Sequence, residues 1–372
     1  MRVVRPESEQ ELAEALAAAA AAGQRVEIRG AGSKRRMGGP AGDAEVVIET
    51  TGLNRVRQYD PRDLTVSVEA GMRWREFCEL VGGHGQMAPL DPPCAAQATV
   101  GGVVATNSCG PRRRLYGSAR DMVIGMRYAT VDGAVAQSGG MVVKNVAGLD
   151  VHKALTGSFG TLAAITVVNF KLAPQPEQTR TYVLRFDGAA EAVAARDTVL
   201  RGPLQPAALD ALNPEAARAA GLDGYCLLIR AGGQPALLDR YDRELKEAAP
   251  LSGREEAELW SRIEEFAPGQ PFVVRAGHRL ADLRAVLESA PGGCVSRAGT
   301  GISYLAFGTA AEAEAWMHDP AHERWSRLLE WSSGAAEVYW PDPGPELKWM
   351  EKLKRTLDPS GILNPGRLYG RI

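Results

Sequence analysis

The chain has 372 residues, more than one hydrophobic core usually holds, and its length therefore predicts two domains. Hydrophobic residues make up 45% of it and charged residues 24%, which is ordinary for a globular protein. Lys and Arg number 43 against 45 Asp and Glu, a net charge of −2, and this balance argues against a dedicated nucleic-acid-binding protein, which usually carries a basic excess.

The N-terminus predicts a helix rather than a signal peptide. Its alanine-rich stretch 13–22 follows acidic residues instead of a basic segment, and it is too short to cross a membrane. Ser8 and Glu11 have the spacing of a capping box, so we expect the helix to begin near Glu9. These features indicate a cytoplasmic protein without a transmembrane segment.

The five cysteines are scattered along the chain and form no C-x-x-C pair. An odd, dispersed set predicts reduced thiols in a cytoplasmic protein rather than a disulfide framework. It also lacks the clustered spacing that ligates an iron–sulfur centre. If electrons leave this protein, we expect another protein to carry them.

The first half of the sequence alternates predicted helices and strands. Gly23 ends the first helix, and short β-rich runs continue as far as residue 172. The predicted strands lie at 26–29, about 46–48 and 64–68, and the predicted helix lies at 74–81.

Pro174 and Pro176 interrupt this pattern and mark the first domain boundary. Beyond them, alternating strands and helices suggest a compact α+β or ferredoxin-like domain. The predicted strands are 181–184, 225–229, 272–274 and 302–305, and the predicted helices begin at 189 or cover 237–248 and 346–357. The domains are thus predicted at 1–175 and 176–340, with a C-terminal segment at 341–372.

A glycine-rich loop follows the predicted strand 26–29. We call residues 29–34, Arg29-Gly30-Ala31-Gly32-Ser33-Lys34, the glycine loop; Arg35 and Arg36 add positive charge beside it. Glycines let backbone N–H groups turn towards an anion, so the loop could bind a phosphate. It is neither the dinucleotide-binding fingerprint nor a P-loop, and a plain turn after a strand explains it better when it is taken alone.

A second candidate is the segment 98–107, which we call the TVGG segment. It contains Thr99-Val100-Gly101-Gly102 and ends in Thr106-Asn107, and Tyr116-Gly117 follow at short range. Paired glycines beside small residues let a bulky planar or phosphorylated ligand approach the backbone closely. A tightly packed bend between two strands explains the segment equally well.

The third candidate has two parts. A predicted strand at 141–143 precedes Lys144-Asn145-Val146-Ala147-Gly148-Leu149-Asp150, which we call the KNVAG segment, and G-S-F-G-T-L follows at 157–162. A solvated loop explains any one of these residues. The three segments together are harder to explain as loops.

In this order, the segments resemble the FAD-binding domain of the PCMH-type, vanillyl-alcohol-oxidase-like flavoproteins. That family has a strand followed by R-G-x-G, then T-V-G-G with a downstream Asn and Y-G, then G-T-L. The sequence 357–367, L-D-P-S-G-I-L-N-P-G-R, is similar to the family's C-terminal D-P-x-G-I-L-N-P-G-[KR]. The resemblance covers the first half of the chain and the tail. It implies an α+β protein with a two-part PCMH-type FAD-binding domain, a smaller ferredoxin-like α/β cap domain, and a tail that returns to the FAD domain.

The resemblance also implies a role for each segment. The glycine loop would cradle the diphosphate of FAD, and the TVGG segment with Tyr116-Gly117 would line the diphosphate and isoalloxazine. The KNVAG segment and residues 160–165 would enclose the adenosine side, and the tail would approach the flavin. The implied cofactor-binding residues are Arg29, Gly30, Ala31, Gly32, Ser33, Lys34, Thr99, Val100, Gly101, Gly102, Thr106, Asn107, Tyr116, Gly117, Lys144, Asn145, Val146, Gly148, Gly160, Ile165 and Asn364. The family often links FAD to a His at the position of Ser33, so we expect non-covalent FAD.

Within this superfamily, the chain resembles the E subunits of bacterial glycolate oxidases, whose K-N-V-A-G-Y-D differs from residues 144–150 only at Leu149. Phe159 stands where catalytic relatives commonly have the Glu of G-S-E-G-T. The resemblance implies an FAD-binding subunit of a glycolate oxidase (glycolate dehydrogenase) complex that oxidises glycolate to glyoxylate. Its implied partners are a D-type flavoprotein and an iron–sulfur subunit, through which a cytoplasmic chain could reach a membrane.

An acid–base set for a hydroxy acid is not visible in the sequence. The D subunits and related D-lactate dehydrogenases resemble each other in a His-rich, metal-binding segment, whereas this chain has five scattered histidines. His318 and His322 have i,i+4 spacing, but Pro320 lies between them, so a loop explains them better and we predict no metal site. Arg275 and Arg297 are candidates to hold a carboxylate, although a surface position explains each more simply.

The basic run Arg112-Arg113-Arg114 could steer an anionic substrate or dock a partner, and a solvated loop tip explains it equally well.

Two alternative functions stay open. A self-sufficient FAD-dependent 2-hydroxy-acid or alcohol dehydrogenase predicts that substrate reduces the flavin of the isolated chain, and the missing histidine cluster counts against it. A non-catalytic assembly subunit predicts no bound flavin. Phe159 and Leu149 support that second alternative, whereas the intact glycine loop and TVGG segment speak against it.

Overall fold

The computed structural model describes residues 1–40, 42–141, 148–246 and 248–372, and it divides into two compact units. The first unit comprises Met1–Cys109, Gly117–Gln175 and Asp342–Ile372. The second comprises Gly110–Tyr116 and Pro176–Pro341, so a short segment from within the first half of the sequence packs with the second unit.

The first unit contains three groups of paired strands. Its strands are β1 (Arg2–Val4), β2 (Val26–Arg29), β3 (Val46–Glu49), β4 (Val56–Asp60), β5 (Thr65–Glu69), β6 (Gln86–Met87), β7 (Val123–Ala129), β8 (Val135–Gly139), β9 (Ala164–Lys171) and β10 (Ala173–Pro174). Its helices are α1 (Glu9–Ala21), α2 (Trp74–Gly82), α3 (Val100–Ala105), α5 (Ala119–Met122), α6 (Val151–Leu155) and α13 (Leu347–Leu357), while α4 (Arg113–Tyr116) falls in the second unit.

A parallel sheet in the order β1-β3-β2 and an antiparallel sheet in the order β4-β5-β9-β7-β8 form the first unit, and β10 pairs with β6. The C-terminal tail extends the parallel sheet, because Leu363 forms a parallel bridge with Val26. The return of the tail therefore places residues from both ends of the sequence beside β2.

The first helix shows how local sequence determines structure here. The Ser8 hydroxyl accepts a hydrogen bond from the backbone N–H of Glu11 at 3.2 Å, as the capping-box spacing predicted. Leu12 and Leu16 are fully buried in a core that also contains residues of β2 and β3 and Leu363 of the tail. The predicted start of α1 is confirmed, as are the strands at 26–29, 46–48 and 64–68 to within one or two residues.

The second unit is one antiparallel sheet with helices. Its strands are β11 (Gln178–Phe186), β12 (Ala208–Leu212), β13 (Tyr225–Gly233), β14 (Pro250–Leu251), β15 (Phe272–Gly277), β16 (Cys294–Arg297), β17 (Ile302–Phe307) and β18 (Ser326–Ser332). Its longer helices are α7 (Ala189–Arg201), α8 (Pro214–Ala219), α9 (Pro235–Glu244), α10 (Gly253–Glu264), α11 (Leu283–Ser289) and α12 (Ala310–His318).

The sheet order β14-β11-β13-β12-β16-β17-β15-β18 consists of two similar halves. If the four strands of each half are numbered 1 to 4 in chain order, both halves have the spatial order 4-1-3-2, which a β-α-β-β-α-β-like succession of elements produces. The halves are joined by the pairing of β12 with β16. Leu227, Val274 and Leu305 lie in the core on one face, and Leu212, Leu228 and Val295 lie in the core on the other.

The structure corrects several local expectations. The TVGG segment is neither a loop nor a bend between strands, because α3 occupies 100–105 within it. The helix expected at 237–248 runs from Pro235 to Glu244, since proline fits the first turn of a helix. The strand expected at 141–143 falls almost entirely outside the described residues.

Candidate functional site

The first unit contains a cleft of about 940 Å³, between β2, the glycine loop, the start of α3, the residues around 160 and the C-terminal tail. Its wall is formed by Val26, Glu27, Ile28, Arg29, Gly30, Ala31, Gly32, Ser33, Lys34, Arg35, Gly42, Ala44, Thr50, Thr99, Gly101, Gly102, Ala105, Thr106, Phe159, Gly160, Ala163, Ile165, Asn364, Pro365 and Arg367. Segments far apart in sequence thus share one open cavity.

The glycine loop and α3 touch each other directly. A Cβ atom at Gly30 would lie 2.0 Å from the Thr99 hydroxyl oxygen, a distance that only glycine permits. Gly32 has φ +74°, in the region that favours glycine. Both glycines of R-G-x-G therefore have a steric reason here: Gly30 permits the close approach to Thr99, and Gly32 adopts a positive φ.

Thr99 also begins α3. Its hydroxyl accepts a hydrogen bond from the Gly102 N–H at 3.3 Å, and its backbone is extended. A Cβ atom at Gly101 would lie 2.8 Å from the Ala70 Cβ, so this glycine lets the helix pack closely against the chain after β5. The paired glycines serve packing as well as the cleft.

Asn364 ties three segments together at the cleft wall. Its side-chain carbonyl accepts from the Ile28 N–H at 2.7 Å, and its amide donates to the Phe159 carbonyl at 2.5 Å. A Cβ atom at Gly160 would lie 2.7 Å from the Asn364 amide nitrogen. The tail thus joins β2 to the 157–161 loop, whose Phe159 has an unusual positive φ of 53°.

Most positive charges around the cleft already have protein partners. Arg29 forms an ion pair with Glu49 at 2.5 Å, and Arg35 forms one with Glu27 at 3.0 Å. The hydrogen bond from Arg29, and then the one from Arg5, hold the pKa of the Glu49 carboxyl below its ordinary value. The Lys34 ammonium is buried and donates to the Pro93 carbonyl at 2.6 Å, so this lysine also fixes the loop.

Thirteen of the sequence-predicted cofactor-binding residues line the cleft, and their contact with a cofactor stays a prediction. They are Arg29, Gly30, Ala31, Gly32, Ser33, Lys34, Thr99, Gly101, Gly102, Thr106, Gly160, Ile165 and Asn364. Arg35, noted as a positive charge beside the glycine loop, lines the cleft as well.

Other predicted residues do not line it. Val100 is fully buried in the core, and the Asn107 side chain accepts from the Arg120 N–H at 3.3 Å. Gly117 faces Asp121, Gly148 is absent from the wall, and Tyr116 belongs to the second unit. Lys144, Asn145 and Val146 lie outside the described residues.

Sequence reasoning missed several wall residues, of which Glu27, Phe159 and Arg367 carry the most chemistry. Phe159 lies in the G-S-F-G-T-L motif and Arg367 ends the C-terminal motif 357–367, so the sequence motifs could have identified both. Glu27 gave none, because a carboxylate in an amphipathic strand usually faces solvent.

The wall fits an elongated cofactor with an anionic centre and a planar, mostly apolar end. Glycine-loop backbone and the Arg367 guanidinium suit a diphosphate, since nests of N–H groups and arginine both bind phosphate oxygens. Ala105, Ala163 and Ile165 offer apolar surface. Glu27 is the acidic wall residue, and its carboxylate is already paired with Arg35.

The second unit does not hold its candidate arginines free for a substrate. Arg297 is buried, contacts Asp210 through Nη1, and lies with its Cζ 5.4 Å from the Tyr304 ring centroid. The expectation of a surface position for Arg297 is therefore wrong. Arg275 is partly exposed, and its Nε lies 3.0 Å from a Glu330 carboxylate oxygen. Both cations are compensated within the sheet.

The histidine pair and the basic run also have structural roles. α12 ends at His318, whose Nδ1 bonds the Glu314 carbonyl, while His322 stacks between Trp316 and Trp325. Arg114 donates to the Pro206 carbonyl at 2.6 Å, so the solvated-tip explanation fails for this arginine. Across the described ranges, no group of three or more His, Cys, Asp or Glu residues has the arrangement of a metal site.

None of the helices in the described part of the chain is both long and apolar enough to span a membrane.

Comparison with known proteins agrees with this geometry. Residues 1–154 match the family model of the FAD binding domain, and residues 337–368 match the C-terminal domain of FAD linked oxidases. The chain is similar to a solved structure of alkyldihydroxyacetonephosphate synthase, with a TM-score of 0.72 at 20% identity, covering 98% of this chain and 76% of that one. At that identity, the likeness shows the fold alone.

The similarity to three curated relatives covers different shares of their sequences. Glycolate oxidase subunit GlcE of Escherichia coli (strain K12) is 28% identical over 351 residues, covering 93% of each chain. Glycolate oxidase subunit GlcD of Bacillus subtilis (strain 168) is 30% identical over 185 residues, which are 50% of this chain and 39% of that subunit. The mitochondrial D-lactate dehydrogenase (cytochrome) of Arabidopsis thaliana is 26% identical, covering 87% of this chain and 65% of that enzyme.

Proposed function

From the premise that this chain is an FAD-dependent oxidoreductase, carrying the FAD binding domain and the C-terminal domain of the FAD linked oxidases, we propose that it is the FAD-holding subunit of a glycolate oxidase complex. The complex would oxidise glycolate to glyoxylate and pass the electrons to an iron–sulfur subunit. The observation that carries this proposal is the end-to-end match to subunit GlcE, which covers 93% of both chains.

FAD, when bound, supplies the electron acceptor for such an oxidation. The residues of this chain would bind and orient it. The glycine loop and Arg367 would hold the diphosphate, Asn364 would fix the wall formed by Ile28 and Phe159, and the apolar residues Ala163 and Ile165 would exclude water from the planar end. Ser33 has no nucleophilic imidazole to offer, which supports a non-covalent cofactor.

We propose further that this subunit relays electrons rather than oxidising glycolate itself. A hydroxy-acid site needs a cation for the carboxylate and a base for the hydroxyl proton. The arginines considered for the first task are paired with Asp210 and Glu330. A D-type flavoprotein partner would then perform the first oxidation, and any membrane association would come through partner subunits.

The test is a visible spectrum of the purified chain before and after anaerobic glycolate, followed by addition of the partner subunits. The proposal expects a yellow chain whose flavin stays oxidised with glycolate alone and is reduced once the D-type partner is present. Release of free flavin on denaturation would support non-covalent binding, and flavin that stays with the precipitated protein would contradict it.

A self-sufficient 2-hydroxy-acid dehydrogenase is the second candidate, because the D-lactate dehydrogenase match extends over 87% of this chain. It expects D-lactate or glycolate to bleach the flavin of the isolated chain. A colourless chain that takes up no added FAD would contradict both candidates and favour a non-catalytic assembly subunit.

A further inference from the structure

Arg367 is buried at the cleft wall, and its hydrogen bonds to described residues all go to backbone carbonyl groups. Its Nη1 donates to the Gly39 carbonyl, and its Nη2 donates to the carbonyls of Lys34 and Arg35 at 3.1 and 3.2 Å. These acceptors lie in the turn 34–39, which begins at the last residue of the glycine loop. The guanidinium therefore determines the path of that turn from a position more than three hundred residues further along the chain.

The same guanidinium also contacts an aromatic side chain of the cleft wall. Its Cζ lies 5.6 Å from the centroid of the Phe159 ring, in a cation–π arrangement. Asn364, three residues earlier, bonds the Phe159 carbonyl. One short piece of tail thus contacts both the phosphate-side turn and the 157–161 loop.

The described residues of the cleft compensate the charge of Arg367 only in part. Among the residues that the structure describes, no carboxylate lies at ion-pair distance from its guanidinium, and the acid whose charge raises its pKa is Glu27. Glu27 is itself in ion-pair contact with Arg35. Burial lowers the pKa of Arg367 to about 10, which leaves it cationic at neutral pH. A buried cation without a carboxylate is costly to maintain, so an anionic ligand is the expected compensation.

We propose that Arg367 is the positioning residue of the cofactor cleft. Its fork of N–H groups holds the turn 34–39 and the glycine loop in their binding conformation, and its charge is compensated by the cofactor diphosphate. Phe159 contributes to this arrangement, because its ring makes a cation–π contact with the guanidinium and does not neutralise the charge. This inference rests on the proposed binding of FAD in the cleft.

The two tasks of Arg367 can be separated by substitution. Arg367→Met removes both the charge and the fork, whereas Arg367→Lys keeps the charge and loses the fork. Phe159→Glu adds a carboxylate beside the guanidinium, and Phe159→Leu removes the ring without adding charge. Arg371→Met is the matched control, because Arg371 is exposed in the same tail and is not part of the wall.

The measurement is the dissociation constant of FAD, titrated into the apoprotein at several salt concentrations, with apoprotein folding checked by circular dichroism. We expect Arg367→Met to weaken FAD binding by roughly tenfold or more, since one charge-assisted hydrogen bond contributes about that factor. Its affinity should also lose part of its salt dependence. Arg367→Lys should bind weakly but retain the salt dependence.

Phe159→Glu should resemble Arg367→Met in salt dependence, and Phe159→Leu and Arg371→Met should resemble the wild type in it. A purely structural role for Arg367 would weaken binding without changing the salt dependence in any variant, and that result would overturn the inference. If folded Arg367→Met binds FAD as the wild type does, the inference also fails. A wild-type chain that binds no FAD would instead refute the proposed function on which it rests.

Discussion

The cleft of the first unit and the sheet of the second unit both bury an arginine, and the two arginines have opposite kinds of partner. Arg297 contacts Asp210, which is completely buried, and faces the Tyr304 ring. Arg367 bonds three carbonyl oxygens and faces the Phe159 ring, with no described carboxylate at ion-pair distance. Both guanidinium groups lie over an aromatic ring, but only Arg297 has a described carboxylate at ion-pair distance.

This difference shows where the chain can accept an anion. A buried ion pair such as Arg297–Asp210 is complete, and adding a third charge to it gains little. A buried cation bonded to neutral carbonyls keeps its attraction for phosphate or carboxylate. A buried arginine beside an aromatic ring can thus attract an anionic ligand in the first unit, whereas the same combination stabilises the fold in the second unit.

The largest expected effect comes from filling the contact between the glycine loop and α3. Gly30→Val would place its Cβ about where the Thr99 hydroxyl lies, so we expect FAD binding to be lost, as judged by the absence of flavin absorbance after reconstitution. Gly140→Ala is the control, because a Cβ there meets no atom of the described residues within 4 Å. Normal flavin content in Gly30→Val would show that the loop need not touch α3.

Arg297→Met should sharpen the comparison by affecting stability alone. Removing one partner of a buried pair leaves Asp210 charged and buried, so we expect the free energy of unfolding to fall by about 3–5 kcal/mol. Arg275→Met, whose side chain is 37% exposed, should cost much less. Chemical denaturation measures both. A large loss of FAD affinity in folded Arg297→Met would contradict the assignment of this pair to stability.

Asn364→Ala tests the tail at the cleft wall. It removes the acceptor for the Ile28 N–H and the donor to the Phe159 carbonyl, and we expect a loss of about 1–3 kcal/mol in the free energy of unfolding. FAD affinity should fall together with stability, unlike in Arg297→Met. Asn364→Asp, which keeps the acceptor, should retain the Ile28 bond, and equal losses in both variants would refute the role of that bond.

The smallest effect is a pH dependence shared by both units. Burial is the main cause that lowers the pKa of His152 in the first unit and of His278 in the second. Each is kept neutral when folded but binds a proton below about pH 6.5 when unfolded, so stability falls as pH drops from 6.5 towards the lower folded pKa. The loss is at most about 1.4 kcal/mol per pH unit for each histidine.

Two substitutions assign this acid sensitivity to its unit. His152→Asn can keep the contact that Nδ1 makes with Ser138, and His278→Gln can keep the contact that Nε2 makes with Ser303. Thermal unfolding between pH 7 and 5 should become less pH-dependent in each variant. An unchanged pH dependence in both would mean that other groups control acid stability.

Local sequence predicted much of the fold, because caps, glycines and apolar periodicity act over a few residues. Ser8 and Glu11 located the start of α1, and the glycine loop was placed correctly after β2. The TVGG segment was harder, since its six helical residues are too few to show a helical period and Gly101 and Gly102 disfavour a helix.

The site residues also divide into those that local sequence could identify and those that it could not. Gly30, Gly32 and Asn364 could be identified because their motifs are short and their residue types rare in regular structure. Val100 and Asn107 belong to the same motif, but whether a side chain faces the cleft or the core depends on how α3 packs. The motif identifies a segment and does not reveal which way each side chain points.

The sequence by itself determined the elements, the glycine positions and the presence of an FAD binding domain, because each is expressed in consecutive residues. Tertiary structure decided the pairing of charges. Arg297 and Arg367 are both arginines near glycines in the sequence, and only the packing of distant segments gives one of them Asp210 and the other the carbonyls of the turn 34–39. Electrostatic attraction depends on distance in space and on burial, and neither is contained in the local sequence.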